Sequence, residues 1–239
     1  MNTQISIIIP VLNEEAHIGA LLEHLAASAL HKNACEIIVV DGGSNDKTRE
    51  VVKTFSSFEK AKISLLESEK GRAKQMNFGA KNASNSILYF LHADSFPPNH
   101  FDECIINEVK KGHKAGCFRM QFDSKHWWLQ LAGWLTKFNW RACRGGDQSL
   151  FISKDLFDAI GGFDENYKIY EDHIMINALY KKNEFVVIHK TLKTSARMYQ
   201  KHGVWKLQYF YWSIYIKRWF GANAQDLHEY YQKYVNVKM

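Results

Sequence analysis

The sequence lacks a long apolar segment without charges. No such stretch among the 239 residues reaches the ~20 residues that a transmembrane helix needs, so no transmembrane helix is predicted. The apolar run near the N-terminus, residues 5–12, is interrupted by Pro10 and followed at once by acidic residues, which is not the pattern of a signal peptide.

Cysteine is scarce and is not arranged in pairs. Cys35, Cys104, Cys117 and Cys143 are widely spaced and form no C-x-x-C motif, so they are predicted to be reduced thiols of a cytoplasmic protein.

A basic arm is also missing. The net charge of +6 and the pI near 9.0 arise from cations spread along the chain, which argues against nucleic-acid binding. This excess suits anionic ligands or an acidic membrane surface and does not choose between them.

The composition, 46% hydrophobic and 23% charged, indicates a folded protein, and the length of 239 residues suits one α/β domain, alone or with appendages. In the first half, strands and helices alternate, which predicts a mostly parallel sheet flanked by helices and joined by right-handed crossovers. Pro10 is expected to end the first strand, and Asn13 to cap the first helix, with Glu14 and Glu15 in its first turn. The predicted strands are residues 5–9, 36–40, 63–66 and 87–91, and the helices after the first are residues 46–55, 71–83 and 97–109, the last opened by Pro97 and Pro98.

The second half of the chain is less regular and contains no internal repeat or low-complexity linker. Its predicted strands are residues 117–122 and 149–152, and its predicted helices are residues 127–138, 154–160 and 171–181.

Acidic residues stand at the ends of two predicted strands. Asp41 and Asp94 each close a short apolar run. A third acidic site, the pair Glu171 and Asp172, begins a helix. In open α/β sheets, ligands bind beyond the carboxyl ends of the strands. These carboxylates therefore predict an active site there.

The segment after Asp41 has the position of a phosphate-binding loop but not its glycines. A P-loop needs glycine where Asp41 and Asp46 stand, and no G-x-G-x-x-G motif occurs, so both nucleotide fingerprints are rejected. Asp46 is the expected helix cap. Asp41 is instead a candidate acceptor for the hydrogens of a nucleotide base.

Two further segments suggest ligands. Arg72 lies in the first turn of a helix, where a cation opposes the helix dipole and a bound anion would resolve the conflict. The segment His92-Ala93-Asp94 resembles a metal-binding D-x-D motif whose first acid is replaced, which suits Mn²⁺ or Mg²⁺. Farther along, Gly145 and Gly146 precede Asp147 and could let a substrate approach the backbone closely.

The tail, residues 204–220, is dense in aromatic residues and flanked by cations. Such a helix could lie in a membrane interface, pack in the core or form a homodimer contact, and three tryptophans at 127, 128 and 134 add a second aromatic patch.

Taken together, the motifs resemble family 2 glycosyltransferases with the nucleotide-sugar-binding GT-A fold. The resemblance rests on residues 7–15, residues 39–46, Asp94 and the Glu171–Asp172 pair, and runs to about residue 200. More narrowly, residues 71–77, 91–94 and 146–148 resemble a bacterial subgroup of that family. We therefore expect a GT-A domain over residues 1–203, with a nucleotide-binding half (1–115) and an acceptor half (116–203), and an aromatic helical extension over 204–239.

The resemblance implies inverting transfer of a sugar from a nucleotide donor, UDP-linked or secondarily GDP-linked, to an acceptor hydroxyl. It implies that Asp41 binds the base, that Asp94, with His92, binds a Mn²⁺ or Mg²⁺ ion on the diphosphate, and that Asp172 is the catalytic base. Arg72 would face the diphosphate, and Arg197 or His202 would join it. The full implied donor set is Pro10, Asn13, Glu14, Asp41, Gly43, Arg72, Gln75, Asp94 and Asp147.

Two alternatives remain open at this stage. One is a sugar-phosphate nucleotidyltransferase, although the acidic, glycine-free segment after the first strand argues against triphosphate binding. The other is a non-catalytic module that binds a membrane peripherally. The acceptor is unknown, and a lipid-like molecule at the inner face of the membrane is the expectation that the aromatic tail motivates.

Overall fold

The computed structural model describes residues 4–31, 35–56, 62–145 and 148–235. Its strands are β1 (Ile5–Val11), β2 (Cys35–Asp41), β3 (Lys62–Glu67), β4 (Ile87–Phe90), β5 (Ser95–Phe96), β6 (Ala115–Phe122), β7 (Leu150–Ser153) and β8 (Val186–Thr194). Its helices are α1 (Ile18–Ser28), α2 (Thr48–Ser56), α3 (Arg72–Asn82), α4 (Phe101–Lys110), α5 (Trp127–Leu135), α6 (Lys154–Ile160), α7 (Glu171–Lys181), α8 (Arg197–His202), α9 (Val204–Trp219) and α10 (Ala224–Tyr234).

The described strands form one sheet in the order β3-β2-β1-β4-β7-β6-β8-β5. The first four pair in parallel, as their alternation with helices predicts, and β6 and β8 are also parallel. The β4–β7, β6–β7 and β5–β8 pairs are antiparallel. The register places Asp41 opposite Val11 and Phe90 opposite Ile8, so that the carboxyl ends of β1, β2 and β4 share one edge.

Helices cover both faces of the sheet, which explains why its first strands read as continuous apolar runs. Side chains of β1 alternate between two clusters: Ile7 and Ile9 pack with α1, α4 and α5, whereas Ile8 packs with α3, α6 and α7. Helix α3 lies very close to the sheet. A Cβ atom added at Gly79 would stand only 2.5 Å from Cγ2 of Ile8. A glycine at this position lets the helix approach.

The first strand does not end at Pro10, contrary to the sequence prediction. Pro10 lies inside β1, buried and paired with Val40 of β2. Residues 8 and 10 direct their backbone groups towards β4, and Ile8 accepts a hydrogen bond from Leu91 at 3.0 Å. Since the pairing with β4 stops opposite Ile8, the missing N–H of proline costs the strand no ladder bond.

Two predicted helix starts are also wrong. Helix α1 begins at Ile18, and Asn13 has a left-handed backbone (φ 56°) in the preceding loop, where it is bound to a second loop. Helix α4 begins at Phe101 rather than at the two prolines, after His100 turns the chain with φ 58°. Strands β5 and β8 and helix α8 have no counterpart among the predicted elements.

The aromatic tail and the residues that follow it form two helices that pack on each other. Helix α9 buries Leu207 and Ile214, and α10 buries Leu227. Within the described part of the chain, no helix has both the length and the hydropathy to cross a bilayer.

Candidate active site at the carboxyl edge of the sheet

The loops that follow β1 and β2 are joined by reciprocal hydrogen bonds. The backbone N–H of Asn13 donates to Oγ of Ser44 at 2.9 Å, and the N–H of Asn45 donates to Oδ1 of Asn13 at 2.8 Å. One residue on, the N–H of Glu14 donates to Oγ1 of Thr48 at 2.8 Å. Asn13 therefore links two loops instead of capping a helix.

Asp41 closes the turn at the end of β2. Its carboxylate is fully buried and accepts hydrogen bonds from the N–H groups of Gly43 (3.1 Å) and Ser44 (3.0 Å), and from the hydroxyl of Ser44. Gly43 has φ +90°, with open space where a side chain would stand, so glycine is the residue this turn favours. The turn satisfies the carboxylate, which limits its freedom to accept further hydrogen bonds from a base.

Gln75 ties together the ends of the first two strands. Its side chain is 4% exposed, and its Nε2 donates to the carbonyl oxygens of Val11 and Val40, both at 2.8 Å. A Cβ atom at Gly42 would lie 2.9 Å from the Gln75 amide, so this contact also requires glycine there. Gln75 thus supports the loops from beneath, and Pro10 is likewise buried in β1; the direct donor contacts implied for both stay predictions.

Arg197 connects three parts of the chain. Its Nη1 and Nη2 lie 2.8 and 2.6 Å from the carboxylate of Glu14, and its Nε lies 3.0 Å from Oδ2 of Asp94. The two acidic side chains are each only 15% exposed, whereas Arg197 is 40% exposed. The N–H of Ser195 also donates to the Asp94 carbonyl at 3.2 Å. This ion-pair network brings the loop after β1, the segment after β4 and helix α8 to the same place.

Arg72 holds the acidic pair at the start of α7. Its Nε contacts Oε1 of Glu171, and its Nη2 lies 3.0 Å from Oδ2 of Asp172. Glu171 is fully buried and Asp172 is 14% exposed. The anion that the sequence predicts for the first turn of α3 is therefore supplied, in this structure, by the chain's own carboxylates.

His173, the residue after the candidate base, is held between two tyrosines. It stacks on Tyr170 at 4.7 Å between ring centroids, and its Nε2 is hydrogen-bonded to the hydroxyl of Tyr215 at 2.8 Å. Burial lowers the pKa of His173 to about 4, with Arg72 and Arg141 acting in the same direction and Glu171 against it. A neutral imidazole thus joins α7 to α9. No sequence signal marked this pair.

These groups meet at one edge of the sheet. The N–H of Ser68, just after β3, donates to the Asp41 carbonyl at 2.9 Å, and the first turn of α3 reaches β1 and β2 through Gln75. Arg72 then brings Asp172 to the same turn of α3. Asp41, Asp94 and Asp172 consequently lie at the carboxyl ends of the parallel strands, where open α/β sheets bind ligands.

The described residues can hold a divalent cation only if a bound ligand supplies part of its coordination. In the described residues, no group of three or more His, Cys, Asp and Glu side chains is placed to hold a metal ion. Asp94 offers one carboxylate, already paired with Arg197. Mg²⁺ commonly binds through one or two carboxylates together with substrate phosphates and water. The donor set at Asp94 suits that arrangement and not a cage made by the protein alone.

Two remaining candidates lie elsewhere. Asp147, with Gly146, falls outside the described residues. His202 ends α8, and desolvation, followed by the charges of Lys201 and Lys206, lowers its pKa. The charged groups that act on His202 are thus cations, whereas those that contact Arg197 are carboxylates.

Comparisons with known proteins support a common assignment. A family model described as glycosyl transferase family 2 matches residues 6–163. Among curated proteins, the chain is 34% identical to glycosyltransferase AglE of Haloferax volcanii over 94 residues, covering 39% of this chain and 31% of that protein. It is 37% identical over 100 residues to a dolichyl N-acetyl-α-D-glucosaminyl phosphate 3-β-D-2,3-diacetamido-2,3-dideoxy-β-D-glucuronosyltransferase of Methanococcus voltae, covering 41% and 31%. The chain thus spans under a third of the length of these relatives.

Solved structures share the fold. Residues 1–349 of Staphylococcus aureus TarS, in complex with UDP, superpose with a TM-score of 0.70 at 20% identity over 81% of this chain and 61% of that one. A mannosyltransferase of Pyrobaculum calidifontis, in complex with GDP-Man and Mn²⁺, gives a TM-score of 0.67 at 17% identity over 95% and 69%. At such identities the likeness concerns the fold alone, and it confirms the fold class predicted from the sequence.

Proposed function

The chain belongs to glycosyl transferase family 2 and has a GT-A-type α/β fold, so we propose that it transfers a sugar from a nucleotide-sugar donor to an acceptor hydroxyl. The observation that carries the proposal is the meeting of Asp41, Asp94 and Asp172 at one edge of the sheet, through contacts from loops and helices far apart in sequence. The proposed outcome is inversion at the anomeric carbon.

A nucleoside diphosphate sugar is the proposed donor, with UDP-sugars first and GDP-sugars second. Solved structures that share the fold are complexes with UDP, UDP-GlcNAc or GDP-Man. The joined loops after β1 and β2 would receive the base, and Asp41 would act chiefly by fixing the turn of Gly43 and Ser44. A direct bond from the base to Asp41 would require the Ser44 hydroxyl to turn away.

A divalent cation, Mn²⁺ or Mg²⁺, belongs to this proposal as a ligand shared by Asp94 and the diphosphate. When bound, the cation would neutralise charge on the leaving diphosphate. In this structure the charge of the Asp94 carboxylate is balanced by Arg197. The role of His92 as a further metal ligand is also a proposal.

Asp172 is the proposed general base. Its carboxylate would take the proton of the acceptor hydroxyl while that oxygen forms a bond to the anomeric carbon. The bond from this carbon to the diphosphate oxygen would break, and its electron pair would leave with the nucleoside diphosphate. Attack from the face opposite the leaving group gives inversion. Arg72 could exchange Asp172 for the diphosphate when the donor binds, which would free the base at the moment it is needed.

The acceptor is proposed to be lipid-like and bound in the half of the chain from residue 116 to 203. Residues 204–239 are proposed as an extension of this domain.

Donor binding is the first test of the proposed function. Thermal shifts with UDP, GDP and their sugars, each with and without Mn²⁺, would identify the donor class, since a ligand at about 100 times its Kd stabilises by about 2.7 kcal/mol. A shift that requires nucleotide and Mn²⁺ together supports the shared site. Absence of any nucleotide shift would refute a donor site in this chain.

The base is tested separately. Asp172→Asn should abolish sugar transfer without weakening donor binding, because the carboxylate is proposed to act on the acceptor and its loss releases Arg72 for the diphosphate. Asp158→Asn, an exposed position on α6, is the matched control and should keep full activity. Undiminished transfer by Asp172→Asn would remove Asp172 as the base.

A further inference from the structure

Helix α9 turns its large apolar side chains outward. The residues at positions 205, 209, 212, 216 and 219 follow a spacing of four, three, four and three, so they share one face of the helix. Their exposed fractions are high: Trp205 51%, Tyr209 63%, Trp212 45%, Ile216 54% and Trp219 84%. The opposite face packs on the protein through Leu207 and Ile214. The aromatic stripe is therefore additional to the face that the fold uses.

Helix α5 presents a second stripe of the same kind. Trp127, Leu131 and Trp134 recur at spacings of four and three and are 59%, 38% and 53% exposed. The two helices are in direct contact: the rings of Trp127 and Trp205 lie 5.7 Å apart, and Nε1 of Trp128 donates to Oε1 of Gln208 at 3.1 Å. We call the two stripes together the aromatic face.

The charged residues are distributed unevenly between the segments that carry the aromatic face and the rest of the chain. The two segments that carry the aromatic face, residues 124–146 and 185–225, contain eleven Lys and Arg and no Asp or Glu. The rest of the chain contains the other twenty Lys and Arg against all 25 acidic residues. Of these eleven cations, Arg144 is buried and Arg197 pairs with Glu14 and Asp94 in the candidate active site, so nine contribute to the charge of these two segments at the surface, whereas the remainder of the chain is net negative. Lys137 lies directly over the Trp134 ring, 3.7 Å from its centroid.

An exposed face of this composition calls for a partner. Soluble monomers rarely expose contiguous apolar patches of more than a few hundred Å². Tryptophan and tyrosine favour the membrane–water interface, where the ring is in apolar surroundings and its polar group stays hydrated. Each Lys or Arg near an anionic leaflet adds to the electrostatic attraction. The pattern of outward aromatics, surrounding cations and missing acids matches a lipid surface better than a protein surface of mixed charge.

We propose that the aromatic face docks this protein on the surface of a bilayer that contains anionic phospholipid, with α9 and α5 lying against the headgroups. A lipid-like acceptor of the proposed function would then lie in the same membrane on which the protein is docked. The docking itself is argued from exposure and charge and not from the transferase reaction. Because Tyr215 of α9 also contacts His173, the docking helix is bonded to the helix that carries the candidate base.

Vesicle flotation tests the proposal without donor or acceptor. The whole protein is mixed with 100-nm vesicles of phosphatidylcholine, either pure or with phosphatidylglycerol at a ratio of about 7:3. Binding should be much stronger to the anionic vesicles. It should also weaken at 0.5 M NaCl, where the Debye length falls to about half its value of ~8 Å at physiological ionic strength.

Matched variants identify the face. Trp205→Ser with Trp212→Ser should lower partitioning to anionic vesicles about tenfold or more. Leu30→Ser with Phe78→Ser, exposed apolar positions outside the aromatic face, should not. Likewise, Lys206→Glu with Lys217→Glu should reduce binding, and Lys53→Glu with Lys81→Glu, exposed on α2 and α3, should reduce it far less. Circular dichroism and melting temperature confirm that each variant is folded.

Three results would overturn the inference. The unmodified protein could fail to float with anionic vesicles, or the tryptophan variant could bind as well as its control. A third is a stable dimer in solution that the tryptophan variant converts to a monomer, measured by analytical ultracentrifugation, which would make the aromatic face a self-association surface. Donor binding, measured separately, stays unaffected by any of these results, so failure here and failure of the proposed function are distinguishable.

Discussion

Removal of the Arg197 guanidinium should destabilise the fold and create a cation site. Arg197 makes three charge-assisted contacts, at 2.6 and 2.8 Å to Glu14 and at 3.0 Å to Asp94. Arg197→Ala leaves two carboxylates, each only 15% exposed, close together without their common cation. Hydrogen bonds to charged groups contribute about 1.5–3 kcal/mol each when buried. The 40% exposure of Arg197 reduces this through solvent screening.

The expected loss in the free energy of unfolding is about 2–3 kcal/mol in total. For a domain of this size that corresponds to a fall in melting temperature of about 5–10 °C. Arg197→Lys should fall in between, because it keeps the charge but cannot make all three contacts.

Lys74 provides a control that separates the effect of buried carboxylate partners from the effect of losing a cation. Its side chain is 40% exposed, as Arg197 is, but its partner Glu69 is 79% exposed. Lys74→Ala should therefore leave the stability nearly unchanged. Urea unfolding at pH 7 and 150 mM NaCl measures both variants.

The cation site is the sharper part of the prediction. With the guanidinium gone, Glu14 and Asp94 present two carboxylates of the kind that Mn²⁺ and Mg²⁺ accept. Millimolar Mn²⁺ without nucleotide should therefore raise the melting temperature of Arg197→Ala more than that of the unmodified protein. Equal shifts in the two proteins, or unchanged stability of Arg197→Ala without metal, would refute the reasoning.

Three further outcomes follow from named contacts. Tyr215→Phe keeps the ring but loses the hydrogen bond to His173; as a positioning change it should lower kcat about tenfold with unchanged donor Kd, whereas Tyr209→Phe on the same helix should alter neither. Burial by itself would raise the pKa of Glu36, but hydrogen bonds from Ser6, Ser84 and Lys62 outweigh it and lower the pKa from its ordinary 4.5 to about 2. The carboxylate thus stabilises the fold above about pH 4.5 and loses this contribution as the pH falls towards 2, so urea titrations should find Glu36→Gln less stable than the unmodified protein at pH 7 and similar to it near pH 2. Gly116→Ala should cost about 1–3 kcal/mol in thermal unfolding, because its Cβ would stand 2.3 Å from the Val186 carbonyl oxygen, whereas Gly145→Ala, with open space around it, should be neutral.

The elements of the first half were predictable because their signals are local. Apolar runs bounded by turn residues indicated β1 to β4, and the alternation with helices indicated their parallel order. The same logic failed at Pro10, since whether proline interrupts a strand depends on which neighbour its nitrogen faces. It also failed at Asn13, whose partner, Ser44, is 31 residues away.

The chemistry at the sheet edge was only partly predictable. That Asp41, Asp94 and Asp172 would approach one edge followed from strand ends and the family resemblance. That Arg72 binds Asp172, and that Arg197 bridges Glu14 and Asp94, did not follow, because Arg72 and Asp172 are 100 residues apart in the sequence and Arg197 and Glu14 are 183 residues apart. Gln75, implied as a donor contact, is held beneath the loops.

The sequence by itself determined the fold class, the family and the types of residue at the strand ends, because buried strands and helices leave periodic patterns in short windows. The tertiary structure alone decided which charges neutralise one another and which side of the aromatic tail faces outward. Periodicity divides a helix into faces but does not tell which face is covered. Only the packing of Leu207 and Ile214 on the protein leaves Trp205, Trp212 and Trp219 exposed.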